Sequence, residues 1–419
     1  MTDVQAAPRR DALSGRAATL AVAAFVLAPV GLIDPLALAP VFAIVAVALL
    51  VVARDGLWTA ARPLAPAGLL LLLLAAWATI SASWSILPQH SLLEGLRLGA
   101  IAAGGLVVLA SSMALDPQER RWVAAASAIG LGIAAVLLLA EDLSAGALAR
   151  LVLRQDVALW HYHRGATVLV MALWPVLVAS SGPLYRRILL AAVAGAAVLD
   201  LGSGTAALAL VAGSAVFAVA RWTPRIAAAG LVIALVAFAV AAPLAIPSSE
   251  SLVAMRAETP WIKWSGIHRL LIWRFTSDRI ADRPLLGWGM DAAREVPGGK
   301  TRLAQRFPDA GLPDDAEALP LHPHDAVLQW ELELGMPGTL LCLALAIWGL
   351  WRVGFAAPLT RLARAGALGW AGSALVIALL AYGAWQAWWL AALFLAAATF
   401  NAAAGIPAGN AGIPARDRP

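Results

Sequence analysis

Apolar runs recur from Ala17 to Ala404, each of about 20 residues and so long enough to cross a bilayer as one helix. No other feature constrains the chain as much. Lipid offers no hydrogen-bond partner, so such runs must satisfy their backbone inside helices. The composition agrees: 61% of the 419 residues are hydrophobic, 13% are charged, and the mean hydropathy is +0.80. Soluble domains are about 25% charged. A soluble enzyme, a disordered tail and a nucleic-acid module are therefore excluded, despite a pI near 10.1. The expected fold is an all-α polytopic membrane protein whose first partner is the lipid bilayer, with no nucleic acid bound.

About twelve spans are predicted, near 17–33, 36–53, 64–82, 92–112, 122–140, 166–180, 188–201, 204–220, 226–246, 326–351, 366–384 and 387–404. Spans seven and eight abut at Gly202-Ser203-Gly204 and read either as two short spans or as one broken helix. Residues 1–16 are polar and the first apolar run leads straight into the second, so no cleavable signal peptide is expected. Arginines mark one side: Arg9, Arg10 and Arg16, then Arg54, Arg62, Arg120, Arg121, Arg186, Arg187, Arg221, Arg225, Arg352, Arg361, Arg364, Arg416 and Arg418. By the positive-inside rule that side, with both termini, is cytoplasmic. The expected layout is an N-terminal bundle of about nine spans (1–246), a large non-cytoplasmic loop (247–325), C-terminal transmembrane helices (326–404) and a cytoplasmic tail (405–419).

A structureless loop as long as 247–325 is uncommon unless it is functional. Residues 261–283 mix aromatic, aliphatic and basic residues at helical spacing. This reads as an amphipathic helix, lying on the membrane face or packed on the loop's own core. Between 256 and 306 the loop carries ten basic groups against five acidic ones. Positive charge on this side opposes the topological bias, so it implies an anionic substrate or anionic headgroups. Arg269 and Trp273 share a face at i,i+4. Arg164, within WHYHRG (160–165), and Arg97, early in span four, lie on the same side. Converging arginines can clamp a diphosphate.

The densest polar cluster is His322-Pro323-His324-Asp325, where the loop re-enters the membrane. Asp325 suits an N-cap for span ten. His324 would stand just before the helix, where a histidine can act as general base near neutral pH. The alternative is capping and interfacial polarity alone. Two histidines one residue apart suggest a metal, yet no third ligand has metal-site spacing, so neither a metal nor a cofactor is expected. Glu331 and Glu333 lie about 9–12 Å into the span at 1.5 Å per residue. At that depth they are either functional or form a buried pairing that orders the bundle. The single cysteine, Cys342, allows no internal disulfide.

Four features together resemble the O-antigen ligase and polymerase superfamily of bacterial inner-membrane glycosyltransferases. ASWSILP (82–88) resembles its WSxxP segment. RLLIW (269–273) followed by RPLLGWG (283–289) resembles its R-xxx-W…PLxGxG stretch. HPHDAVLQWELELGMPG (322–338) resembles its HxHN…ExGxxG signature, and the span layout agrees. Two departures stand out. Asp325 replaces the usual Asn, and Ser203-Gly204-Thr205 lacks an arginine that many members carry there.

The resemblance implies a GT-C-like fold and a multi-pass protein of the bacterial inner membrane, with its active site in the periplasm. It implies an undecaprenyl-diphosphate-linked glycan as donor, and lipid A–core or another glycan as acceptor in lipopolysaccharide biosynthesis. It further implies metal-independent transfer with inversion. His324 would then be the base and Arg269 the catalytic diphosphate ligand, with Arg164, His322, Asp325, Trp273 and Arg97 at the substrate. A ligase is the favoured reading and a polymerase the alternative. Transfer to protein, or transport of lipid-linked sugars, is a further reading. A transporter needs charges near the midplane of several spans, and these spans are almost free of them.

Overall fold

The computed structural model describes residues 13–405, except 54–55, 145, 148–149, 151–161, 180–182, 260 and 263. The tail beyond Gly405 lies outside the described residues, as do Arg9, Arg10, Arg54, Trp160, His161, Lys263, Arg416 and Arg418. The helices are α1 Gly15–Ile33, α2 Pro35–Val52, α3 Leu57–Ser83, α4 Pro88–Met113, α5 Pro117–Leu143, α6 His163–Val178, α7 Leu184–Asp200, α8 Gly204–Trp222, α9 Pro224–Ala245, α10 Ser249–Glu258, α11 Trp264–Asp282, α12 Ala326–Ala356, α13 Arg361–Leu380 and α14 Ala387–Ala404. Each of the predicted spans has its helix. Among the described residues, 10 helices are long and apolar enough to cross a membrane. The helix α6 is apolar but shorter, and α7 is 17 residues long. Spans seven and eight are separate helices, α7 and α8, divided at Gly202 (φ 66°).

The helix α6 is the centre of the bundle, with every residue from Gly165 to Val176 buried. Lipid is as apolar as leucine, so small residues that allow close approach drive helix association. At the α8–α13 crossing a Cβ on Gly213 would stand 2.7 Å from the Gly369 carbonyl oxygen. The Trp174 indole N–H donates to Ser373 Oγ at 3.1 Å, and that hydroxyl donates to the Ala209 carbonyl at 2.8 Å.

The arginine-rich connections gather at one end of the bundle, where they cap helix C-termini. Arg120 donates to the carbonyls of Met113, Leu115 and Asn401 at 2.9–3.0 Å. Arg364 does the same for Val353, Gly354 and Ala357 at 2.8–3.2 Å. A guanidinium at a helix C-terminus satisfies orphan carbonyls and opposes the helix dipole.

The large loop has its own core. Ile267, Leu271, Ile272 and Ile280 of α11 pack with Leu252, Trp288, Val296, Leu303 and Leu319, and with Leu328 and Leu332 of α12. The helix read at 261–283 is thus packed on the loop's core. It does not lie flat on a membrane, because its apolar face is already covered.

The helix α12 is broken at Gly335 (φ 61°, ψ −166°). A break at membrane depth survives only where its backbone groups find new partners. The Leu332 carbonyl accepts from Trp288 N–H at 2.9 Å, and the Glu333 carbonyl from Gly289 N–H at 2.8 Å. The Leu334 carbonyl accepts from the Trp77 indole at 2.8 Å. In return Met336 N–H donates to the Pro284 carbonyl at 3.0 Å. The 284–290 segment is held from the other side as well. The Trp84 indole donates to the Leu286 carbonyl at 3.0 Å, and Ser81 Oγ accepts from Met290 N–H at 2.9 Å. The segments 82–88, 283–289 and 322–338 thus form one hydrogen-bonded knot.

A Cβ at Gly335 would overlap the Leu285 carbonyl, and its backbone region costs other residues about 1–3 kcal/mol. Gly335→Ala is expected to lose the monodisperse peak in size-exclusion chromatography. Gly349→Ala, where nothing lies within 4 Å of the new methyl, should elute as wild type. A normal Gly335→Ala profile would contradict the knot.

Candidate active site

The histidine turn is built by its neighbours. His324 has φ 58°, a left-handed conformation uncommon for a residue other than glycine. Its N–H donates to His322 Nδ1 at 3.2 Å, and the two rings meet edge-on at 4.3 Å. The Trp273 indole N–H donates to the Pro323 carbonyl at 2.9 Å. Asp325 Oδ1 accepts from Leu328 N–H at 2.9 Å, which caps α12. His322 has room because residue 383 is glycine; a Cβ there would lie 3.1 Å from its ring.

His324 Nδ1 lies 2.6 Å from the Ala381 carbonyl. A carbonyl only accepts, so Nδ1 carries the proton and Nε2 keeps a free lone pair. Burial pushes the His324 pKa down, against the Ala381 hydrogen bond, and the charge of Arg269 adds to the lowering. Burial pushes His322 down to about 3, helped by the charges of His324, Arg294 and Arg164. Both rings are neutral at neutral pH.

The arginines divide into paired and unpaired. Arg274, Arg279, Arg294, Arg302 and Arg306 pair with Asp278, Asp282, Asp291, Glu317 and Glu250. Arg283 lies over the Trp288 ring, 4.1 Å from its centroid. Arg269 and Arg164 have no carboxylate partner among the described residues. The charges of both act on Tyr382, whose hydroxyl is 3.3 Å from Thr167 Oγ1. Burial lowers the pKa of the Arg269 guanidinium, which raises the value of any anion that would pair with it.

The structure thus brings His322, His324, Arg269 and Arg164 to one region. Trp273, His322 and Asp325, expected at the substrate, build and hold the histidine turn. Arg97 is already engaged, by Glu94 and by the Trp385 carbonyl at 3.4 Å. Sequence reasoning missed Tyr382 and the 381–386 connection, whose signal was one of only 3 tyrosines, in a short aromatic turn. It also missed His90, Glu94 and Asp291, whose potential ligand atoms lie within 4.8 Å of one another. Arg294 and Arg97 pair with the two carboxylates, so this group is charge-balanced without a cation.

Asp325 is fully buried and its Oδ2 has no hydrogen-bond partner among the described residues. Burial pushes its pKa up to about 7 from 3.8. An acid raised in this way loses its contribution to stability as pH rises through the folded value. Asp325→Asn keeps the cap and carries no charge. Its unfolding midpoint should exceed that of wild type near pH 8, with the gap closing at about pH 4. Asp325→Ala should cost about 1 kcal/mol near pH 4 through loss of the cap, and less near pH 8, where it also removes the buried charge. A lower midpoint for Asp325→Asn near pH 8 would contradict this reading.

A sequence model of the O-Antigen ligase family matches residues 188–343, from α7 through the large loop, the histidine turn and the break in α12. A Rickettsia conorii protein named "Putative polysaccharide ligase" is 27% identical over 282 residues, covering 65% of this chain and 65% of the relative. A protein of that name from Rickettsia typhi is 28% identical over 286 residues, 65% of each chain. One from Rickettsia bellii is 27% identical over 285 residues, 68% of this chain and 67% of the relative. The chain spans about 65% of the length of the R. conorii relative it matches. The family match spans the loop and the histidine turn, and the motif segments interlock in one knot, so this multi-pass helical membrane protein is similar to the O-antigen ligase family over residues 188–343.

Proposed function

We propose that the protein is a glycosyltransferase that moves a glycan from undecaprenyl diphosphate to an acceptor such as lipid A–core. It would work in the bacterial cytoplasmic membrane with the site facing the periplasm. The observation that carries this reading is a neutral His324, with Nε2 free, close to arginines that lack carboxylate partners. The acceptor hydroxyl oxygen attacks the anomeric carbon as the bond to the diphosphate breaks. His324 Nε2 takes the hydroxyl proton. Arg269 and Arg164 take the charge of the leaving diphosphate. Two fixed guanidiniums do for the leaving group what a divalent cation would otherwise do, so a chelator should not stop transfer.

Arg164 stands in for the arginine that many relatives carry where this chain has Gly204. The segments that carry the two positions touch: His163 Nε2 lies 3.2 Å from the Leu201 carbonyl. A Cβ added at Gly204 would meet nothing within 4 Å, so a side chain can start there without a clash at its root.

The test is transfer in liposomes that hold the donor and lipid A–core, with a chelator present. His324→Ala is expected to lower kcat/KM by about 10²–10⁴, and Arg269→Ala by about 10²–10³, both eluting as wild type. Arg164→Ala should be impaired, and Gly204→Arg in that background should restore part of the rate. Because its pKa is lowered, His324 stays in its basic form to a more acid pH. The acid limb of kcat/KM should therefore fall below the ordinary histidine value of about 6.5. Full transfer by His324→Ala would overturn the base assignment. Donor chains that lengthen on undecaprenyl diphosphate, with lipid A–core unmodified, would make the protein a polymerase.

A further inference from the structure

The large loop holds a second feature that the transfer chemistry does not use. The helix α10, the start of α11 and the 306–311 turn enclose a cleft of about 630 Å³, within the usual range for ligand pockets. Trp264, Phe307, Arg256 and Arg306 line it. The Trp264 ring is stacked on His268, with centroids 6.3 Å apart and planes 9° from parallel. Arg306 lies over the Phe307 ring at 5.1 Å and pairs with the exposed Glu250 at 3.2 Å. Arg256 has no carboxylate partner among the described residues. The cleft therefore combines aromatic faces and surplus positive charge.

Its position is informative. Trp264 precedes Arg269 by five residues on the same helix, about 7–8 Å along the axis. The cleft and the candidate diphosphate ligand Arg269 are thus carried by one helix of the same loop.

We infer that the cleft is a subsite for an anionic glycan. Trp264 and Phe307 offer apolar faces to sugar rings. Arg256 and Arg306 take a carboxylate or phosphate substituent, which guanidinium forks bind in bidentate fashion. The inference rests on the transferase reading only in identifying that glycan as the donor's chain; an anionic lipid headgroup offers the same chemistry from another source.

The test is direct binding, with no transfer step. The full-length protein in phosphatidylcholine nanodiscs is titrated with a galacturonate oligomer, and with a maltose-series oligomer of equal length as the neutral control. Saturable binding of the acidic oligomer alone is expected. The double variant Arg256→Ala/Arg306→Ala should weaken it about tenfold or more, as loss of charge-assisted pairs does. Trp264→Ala, which removes an aromatic face, should weaken it by about threefold or more. His324→Ala should bind as wild type, so failure of transfer and failure of the subsite read out separately. Equal binding of both oligomers, or a double variant that binds normally, would overturn the inference. So would loss of oligomer binding in phosphatidylglycerol nanodiscs, which would assign the cleft to lipid headgroups.

Discussion

Four N–H groups converge on one carboxylate that solvent does not reach. Glu333 is fully buried and accepts from the amides of Asp291 and Ala293 at 3.0 and 3.3 Å. It also accepts from the Gln329 side chain at 3.1 Å and the Trp385 indole at 2.6 Å. An acid at this depth is costly unless its oxygens are filled, and here the filling defines the architecture. The 289–295 turn, the helix α12 and the 381–386 connection are tied to one point. The same carboxylate sits beside the Gly335 break, whose freed carbonyls recruit Trp288, Gly289 and Trp77. Gln329 Oε1 then accepts from Ala384 N–H at 2.8 Å, which holds the connection that carries Ala381 and Tyr382.

The chemistry of the histidine turn follows from that anchoring. The Ala381 carbonyl fixes the tautomer of His324, and it is held in place by bonds from Gln329 and Glu333 to the residues that follow it. Trp273 fixes the turn from the loop side through the Pro323 carbonyl. Most of the loop's positive charge is cancelled internally by ion pairs, so the excess visible in its composition is misleading. Among the described residues, those left without a carboxylate are Arg283 over the Trp288 ring, Arg269 and Arg164 around the histidines, and Arg256 in the cleft. Arg269 is half-buried, and charge left unpaired in such a place favours an anion there.

Much of the fold was legible because lipid leaves so few solutions. The apolar runs located the spans, and the arginines marked the end where they cap carbonyls. Asp325 was readable as a cap because the first turn of a helix needs one. The remainder depends on contacts distant in sequence. Arg274–Asp278 is an i,i+4 pair that a sequence shows, whereas Arg306–Glu250 joins residues 56 apart. Trp273 shared a helix face with Arg269, but its target, the Pro323 carbonyl, carries no sequence signal. Tyr382 and Trp385 lie in a turn without charge or motif, so only the bonds from that turn to Gln329 and Glu333 of α12 bring them to the site. Glu333 was open to a functional or an ordering role, and its four donors make it the organiser of the knot.

The central claim is that Arg269 and Arg164 bind the donor's diphosphate beside His324. Cryo-electron microscopy of the full chain in nanodiscs loaded with undecaprenyl diphosphate tests it most directly. The account predicts diphosphate density within hydrogen-bond reach of both guanidiniums, on the side of the His324 ring that exposes Nε2. Diphosphate density elsewhere, with Arg269 and Arg164 left free, would contradict it.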